Sequence, residues 1–300
     1  MTEFDKEIVN DPLDELEWVK TPNSHREGPI AEVVNDGATS KNREHEFVEK
    51  AAEYDKPGSY HYTDTKRGHW SQSSGCTTRS YLNYVFKQNS DLDKPESDEK
   101  TMRTFTHGDL IHLWIQGIFL EELGEEFVTV EEQIDEELEG DYGTAGHVDI
   151  VVRNHPNFPD PFVIDIKTKA EFTYYSYGDG GHVRSIPAEK NLRQLMGYMH
   201  HIGAEYGALL YYSKRNDHIE EYWATFNEEE FEEGKSNILN VLEHVNTGEV
   251  PERDAESYMC NPEYCVYKRE GICPGVPESD HYDPDDNKLD QFEYEDPDWS

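Results

Sequence analysis

GHVDIVVRNHPNFPDPFVIDIKTK, residues Gly146 to Lys169, divides into two strand-like runs, AGHVDIVVR and PFVIDIKTK, joined by a Pro- and Asn-rich turn, NHPNFPD. In the second run Val163, Asp165 and Lys167 point to one face, and Ile164 and Ile166 to the other. An acid and an amine two apart on an otherwise apolar strand are costly to bury unless something charged sits between them. The first run contributes Asp149, set among Val148, Ile150, Val151 and Val152. Two carboxylates on adjacent strands, with a lysine beside the second, suit a hard divalent cation, Mg²⁺ or Mn²⁺, with an ammonium group at its rim. The triplet alone leaves a second reading open, an ordinary surface salt bridge on an edge hairpin.

Outward from this hairpin the periodicity changes. Upstream, Thr104 to Leu123 reads as a helix with a broad apolar face: Phe105, Leu110, Ile111, Trp114, Ile115, Ile118 and Phe119. FVTVEEQI (127–134) reads as a strand. Downstream, AEKNLRQLMGYMHHIG carries Leu192, Leu195, Met196 and Met199 as a helical stripe, with Pro187 in the first turn and Ser185 as cap. YGALLYYSK (206–214) and EEYWATF (220–226) follow as strands, and Asn227 caps a last helix running to about Val245. The order is helix, three strands, helix, strand, so the fold class is α/β with a mixed sheet.

Asp149…Asp165-Ile166-Lys167 in this order resembles the PD-(D/E)xK nuclease superfamily, whose restriction-endonuclease-like core is αβββαβ. Two further matches resemble its RecB-like branch. Gly108…His112 on the preceding helix looks like that branch's G…H motif, which implies a metal-facing His112; the plain alternative is a histidine satisfied between helix and sheet. Gln194 and Tyr198, four apart and so on one helix face, match its Q-x-x-x-Y. That pattern means nothing alone and gains weight only from its place after D…DIK. The resemblance, over roughly residues 70–275, implies a metal held by Asp149, Asp165, the carbonyl of Ile166 and His112. It implies Lys167 as the group that orients water, and Gln194 and Tyr198 as groups that position the strand. The implied substrate is DNA ends, single-stranded, cut exonucleolytically. The implied setting is a CRISPR adaptation or recombination complex, with a non-catalytic DNA-end-binding subunit as the alternative. Asp165 departs from the commoner Glu, and the aromatic, Gly-rich insert 171–186, with Tyr174, Tyr175 and Tyr177, reads either as a strand-contacting loop or as a surface loop.

Three of the four cysteines, Cys260, Cys265 and Cys273, cluster as C-x4-C-x7-C, and Cys76 lies upstream of the whole core. One ligand before and three after resembles the iron–sulfur RecB-family nucleases, AddB-type domains and CRISPR-associated exonucleases among them, as does the opening SQSSGCTTRSYLNY. Four thiolates can hold a [4Fe–4S] cluster or a tetrahedral Zn²⁺, and the loose spacing favours the cluster. Either would staple the C-terminal segment to a helix beginning near Cys76.

Charge speaks to the solvent first. With 65 acidic against 27 basic residues the net charge is −38, an unusual balance for a nucleic-acid binder. At molar salt the Debye length is about 3 Å, so self-repulsion is screened and an acidic surface is tolerated; the acids are spread along the chain, which fits a high-salt cytoplasm. No apolar run approaches a membrane span, and the N-terminus lacks a signal-peptide pattern. The expected organisation is an acidic, unstructured 1–40; a helical 41–100 holding the first cysteine; a nuclease core over 101–250; a cysteine segment, 251–275; and an acidic, unstructured tail, 276–300.

Overall fold

The computed structural model describes residues 7–8, 18–20, 29–39, 64–73, 76–88, 99–169, 174–177, 181–184, 189–215, 217–252 and 265–273. In chain order these form β1 (Glu7–Ile8), β2 (Trp18–Lys20), α1 (Pro29–Thr39) and β3 (Arg67–Gly68). A 3-10 turn (Trp70–Gln72), α2 (Thr77–Gln88), α3 (Glu99–Glu122), β4 (Val128–Glu139), β5 (Tyr142–Val152) and β6 (Phe162–Lys169) follow. The remainder is a hairpin of β7 (Tyr174–Tyr177) and β8 (Gly181–Arg184), then α4 (Glu189–Ile202), β9 (Tyr206–Ser213), β10 (Ile219–Thr225), α5 (Glu228–Thr247) and α6 (Val266–Arg269).

The main sheet runs β1-β2-β10-β9-β6-β5-β3, with β4 on the other edge of β5. The β6–β9 and β3–β5 pairs are parallel and the others antiparallel. Helices cover both faces, which explains why the central strands read as near-continuous apolar runs. One core layer joins Val163, Leu209 and Tyr211 to Leu192, Leu195, Met196 and Met199 of α4 and to Phe231 and Ile238 of α5. The opposite layer joins Ile150, Ile164, Ile166 and Leu210 to Ile111, Ile115, Ile118 and Phe119 of α3 and to Ile30 and Val34 of α1. The sequence α3-β4-β5-β6-α4-β9 is the expected αβββαβ core.

The differences lie mainly upstream. Residues 1–40, expected to lack order, supply α1, whose Ile30, Ala31 and Val34 are buried. Its N-terminus is completed from far away. The backbone N–H groups of Ile30 and Ala31 both donate to Glu221 Oε2 at 3.0 Å, satisfying orphan donors that a local cap would otherwise take. α3 starts five residues earlier than expected, at Glu99, so its outer end runs beyond the packed stripe, and Phe105 and Leu110 are exposed rather than core. Residues 64–73 hold β3 and the 3-10 turn, and Trp70 there is buried against α4 and α5. α4 can come so close only because Gly197 has no side chain: a Cβ there would lie 1.9 Å from the indole. Residues 41–63 of the expected helical segment, the cap Ser185 and Pro187, and the tail 276–300 lie outside the described residues. Among those residues no helix is long and apolar enough to cross a membrane.

Candidate active site

β5 shares one of its edges between two partners. β3 pairs with it at Gly143 and Thr144, and β6 at Ile150, Val151 and Val152. Residues 145–149 have no ladder partner on that edge among the described residues. The next pair in the β5–β6 register would be Asp149 opposite Asp165, and there the ladder stops. Asp149 Oδ2 instead accepts the backbone N–H of Ile166 at 2.7 Å. The carboxylate takes the place of the missing strand bond and holds the two strands at the apex of the split.

The outer hairpin also rolls over at this level. Val130 and Ile150 belong to the core layer under α3, whereas Ile134 and Val148 belong to the layer under α4, although each pair is an even number apart. The change falls at Glu131, whose φ is +52°. A non-glycine residue in that region costs on the order of 1–3 kcal/mol and persists only where surrounding contacts fix it. Here Gln116 of α3, fully buried, fixes it: its amide donates to Glu131 Oε1 at 2.8 Å and to the Asp149 carbonyl at 3.1 Å.

Every catalytic residue expected from sequence converges on the split. His112 Nδ1, from α3, lies 3.4 Å from Asp149 Oδ1. Asp165, 1% exposed, accepts from Lys167 Nζ at 2.9 Å. The same ammonium donates to Gln194 Oε1 at 2.9 Å, and Gln194 Nε2 donates to the Tyr198 hydroxyl at 2.6 Å. The chain Asp165–Lys167–Gln194–Tyr198 thus crosses from β6 to α4. Gly108, one turn before His112, lets α3 close on β6: a Cβ there would stand 3.3 Å from Thr168 Oγ1.

The electrostatics follow from burial at close quarters. Burial pushes the Asp165 carboxyl up to about 6, with Lys167 opposing and Asp149 adding to the rise. Asp149 goes the other way: burial would raise it, but the His112 and Lys167 charges and the Ile166 N–H hold it below the usual carboxylate range. Burial would lower His112, and the Asp149 carboxylate more than offsets it, so the imidazole is raised. The Tyr198 hydroxyl is pushed well up by burial and by both aspartates, which keeps it a neutral donor. Two environments drive the two acids apart, as in acid–base sites that hold one carboxylate ionised. Lys169, two residues beyond Lys167, is held below its ordinary value by partial burial and by Lys190, so cations gather here in a chain otherwise rich in acid.

A divalent cation can be tested against these groups. Among the described residues no three His, Cys, Asp or Glu side chains stand close enough to chelate an ion as placed. The donor types nonetheless suit a hard cation: the Asp149 and Asp165 carboxylates and the His112 imidazole lie together at the split, and the buried Asp165 Oδ2 has no neighbour but the Lys167 ammonium, 2.8 Å away. Cys265 is buried and Cys273 half-buried in a small cluster with Tyr81, Leu82 and Tyr267, against α2, directly after Cys76. The Cys76 sulfur accepts the Arg79 N–H at 3.4 Å, and Tyr267 donates to Asn83 at 2.8 Å. Cys265 and Cys273 are free thiols, and Cys260 lies outside the described residues. The insert residues Tyr174–Tyr177 pair with Gly181–Arg184 as a two-stranded hairpin.

Sequence reasoning passed over four residues here: Trp70, Gln116, Glu131 and His147. Glu131 is one of many acids in β4, and Trp70 stands in a stretch with no periodicity; the small pair Ala145-Gly146 ahead of Asp149 was the signal that a cavity opens beside it.

No family profile matches the chain, and no curated protein matches it. Among solved structures it resembles SSO0001, at 19% identity and a TM-score of 0.50, over 77% of this chain and 95% of that one. It also resembles an alkaline exonuclease, LHK-Exo, from Laribacter hongkongensis, at 10% identity and a TM-score of 0.33, over 57% of this chain and 78% of that one. The first likeness is one of fold, and the second is too distant to add to it. Topology and the split sheet edge together define an α/β protein with a restriction-endonuclease-like core.

Proposed function

We propose that this chain is a divalent-metal-dependent deoxyribonuclease of RecB-like type, acting on DNA ends. The observation that carries the reading is the placement of Asp149 and Asp165 at the first unpaired level of β5 and β6, with Lys167 held between Asp165 and Gln194. Asp149, Asp165, the Ile166 carbonyl and His112 would hold the ion. Bound there, it supplies Lewis-acid polarisation of a phosphoryl oxygen and a water acidified towards neutrality. The side chains do the rest. Lys167, fixed from two sides, presents an ammonium where negative charge develops. Tyr198 and Gln194 donate to and orient the strand, and Lys169 and Lys190 offer phosphate contacts. A [4Fe–4S] cluster on Cys76, Cys260, Cys265 and Cys273 would join residues 265–273 to the start of α2. The function fits spacer acquisition or recombination, both of which present free ends.

A non-catalytic DNA-end-binding subunit is the second reading, favoured by one observation: the Lys167 ammonium lies within 2.9 Å of both Asp165 oxygens, where an ion would compete with it. Cleavage of DNA labelled separately at each end decides between them, using anaerobically purified protein in molar KCl with Mn²⁺ or Mg²⁺. Stepwise shortening by wild type and none by Asp165→Ala supports the nuclease. Binding without cleavage in either metal supports the subunit.

A further inference from the structure

The backbone of Asp149 has no strand partner in register on either side among the described residues. The β5–β6 register ends at Ile150 opposite Ile164, one level short of it. On the other edge the β4–β5 register passes from Val130 opposite Ile150 to Glu132 opposite Val148, skipping Glu131 and Asp149, which face each other. Side chains take over at this level. Gln116 of α3 donates to the Asp149 carbonyl at 3.1 Å and to Glu131 Oε1 at 2.8 Å, so one amide ties both strands where their register lapses. His112, one turn earlier on the same helix, lies 3.4 Å from the Asp149 carboxylate. Four residues apart, the two share a helix face. α3 thus grips Asp149 twice, once at its main chain and once at its side chain.

Packing alone does not account for an amide here. Gln116 is fully buried in a stretch of α3 whose Ile115, Ile118 and Phe119 are core. Its Oε1 meets no hydrogen-bond donor among the described residues. Methionine would fill the same volume without a buried, unpaired oxygen, which carries a desolvation cost. What the amide adds is the pair of bonds to Asp149 and Glu131. We infer that Gln116 is a positioning residue: through the Asp149 carbonyl and the bend at Glu131 it sets the aim of the Asp149 carboxylate, and so the affinity for the divalent ion that Asp149, Asp165 and His112 would share. The inference rests on the nuclease reading for that ion. Outer groups of this kind, which orient a metal ligand without touching the metal, change affinity or activity by about 10–100-fold when removed.

Two variants test it. Gln116→Met keeps the volume and removes both bonds. Gln116→Asn leaves an amide one methylene too short to span both partners, and it carries the test where Gln116→Met does not fold. Asn227→Ala, at the start of α5 and away from the site, is the control for lost stability, and melting curves establish that each protein is folded at the temperature used. Mn²⁺ binding to anaerobically purified protein in molar KCl, without DNA, is read by the electron paramagnetic resonance of free Mn²⁺. Only binding that Asp165→Ala abolishes is counted, which sets aside ions held by the acidic surface. The expected result is a Kd raised about tenfold or more in Gln116→Met, raised in Gln116→Asn, and unchanged in Asn227→Ala. With DNA present, kcat falls in the Gln116 variants while KM for DNA holds. Wild-type Mn²⁺ affinity in either folded Gln116 variant overturns the inference, as does an equal loss in Asn227→Ala, which marks the effect as one of stability. The nuclease reading fails separately: loss of Mn²⁺ affinity in the Gln116 variants with no cleavage by wild type leaves Gln116 in this role and removes the enzyme. Cleavage by wild type with unchanged affinity in the variants does the reverse, and a wild type that binds no Mn²⁺ overturns both.

Discussion

Glu221 ties the N-terminal helix to the far side of the sheet, and it does so at a cost that depends on pH. Its carboxylate is fully buried on β10 and accepts the Ile30 and Ala31 N–H groups and, at 3.3 Å, the Trp223 indole. Burial outweighs those bonds and pushes the group from 4.5 up to about 7. Because the folded state holds this proton more tightly than the unfolded chain, its contribution to stability is fully present below pH 4.5. That contribution is lost as pH rises through 7. At about 1.4 kcal/mol per unit, the shift amounts to roughly 3 kcal/mol across that window. Glu221→Gln removes the titration while keeping one oxygen for Ile30 and Ala31. It also sets an amide N–H₂ against the Trp223 N–H, at a cost of about 1–2 kcal/mol. Denaturant unfolding in molar KCl at pH 5 and pH 8, wild type beside variant, measures the difference, in which contributions from every other group cancel. The variant should be less stable than wild type at pH 5 and equal or more stable at pH 8. A stability difference that is the same at both pH values would refute the reasoning.

Two further outcomes are expected. Asn227 accepts from the Glu229 and Glu230 N–H groups at the start of α5, so Asn227→Ala should cost about 1 kcal/mol, seen as a lower urea midpoint at unchanged slope. If the four cysteines hold a [4Fe–4S] cluster, anaerobic protein should carry iron and acid-labile sulfide with visible absorbance. Cys265→Ser should then lose the absorbance and melt at lower temperature; zinc with no iron would assign the other metal.

What could be read in the sequence was what spacing encodes. Asp165 and Lys167 two apart on a strand, and Gln194 and Tyr198 four apart on a helix, fix shared faces without any knowledge of the rest. The helix carrying His112 had an apolar stripe strong enough to place it on the sheet. The order of elements then set which face met which, and Asn227 announced α5 by local chemistry alone. What could not be read depends on partners far along the chain. α1 is only 11 residues long and contains Asn35 and Gly37, poor helix formers, and its N–H groups are satisfied by Glu221, about 190 residues away. Trp70 becomes core only because Gly197 admits it, and Glu131 differs from its acidic neighbours only in a backbone angle that Gln116 and the opposed Asp149 impose. The insert that contains Tyr174 reads as a loop because nothing in YYSYGDGGHVR distinguishes a short hairpin from one.

The two ends of the gap in the β5 edge are held unequally. One end of the gap is closed by β6, joined through a short connection and braced by β9 along its whole other side. The other end is closed by β3, two residue pairs long. β3 is held in place by the Tyr84 hydroxyl on the Arg67 carbonyl and by exposed ion pairs, Lys66 to Asp141 and Arg67 to Asp135, which contribute little in salt. Local opening takes the weakest contiguous unit first. The two aspartates therefore stand at the end braced by β6 and β9, away from the two-pair closure at β3.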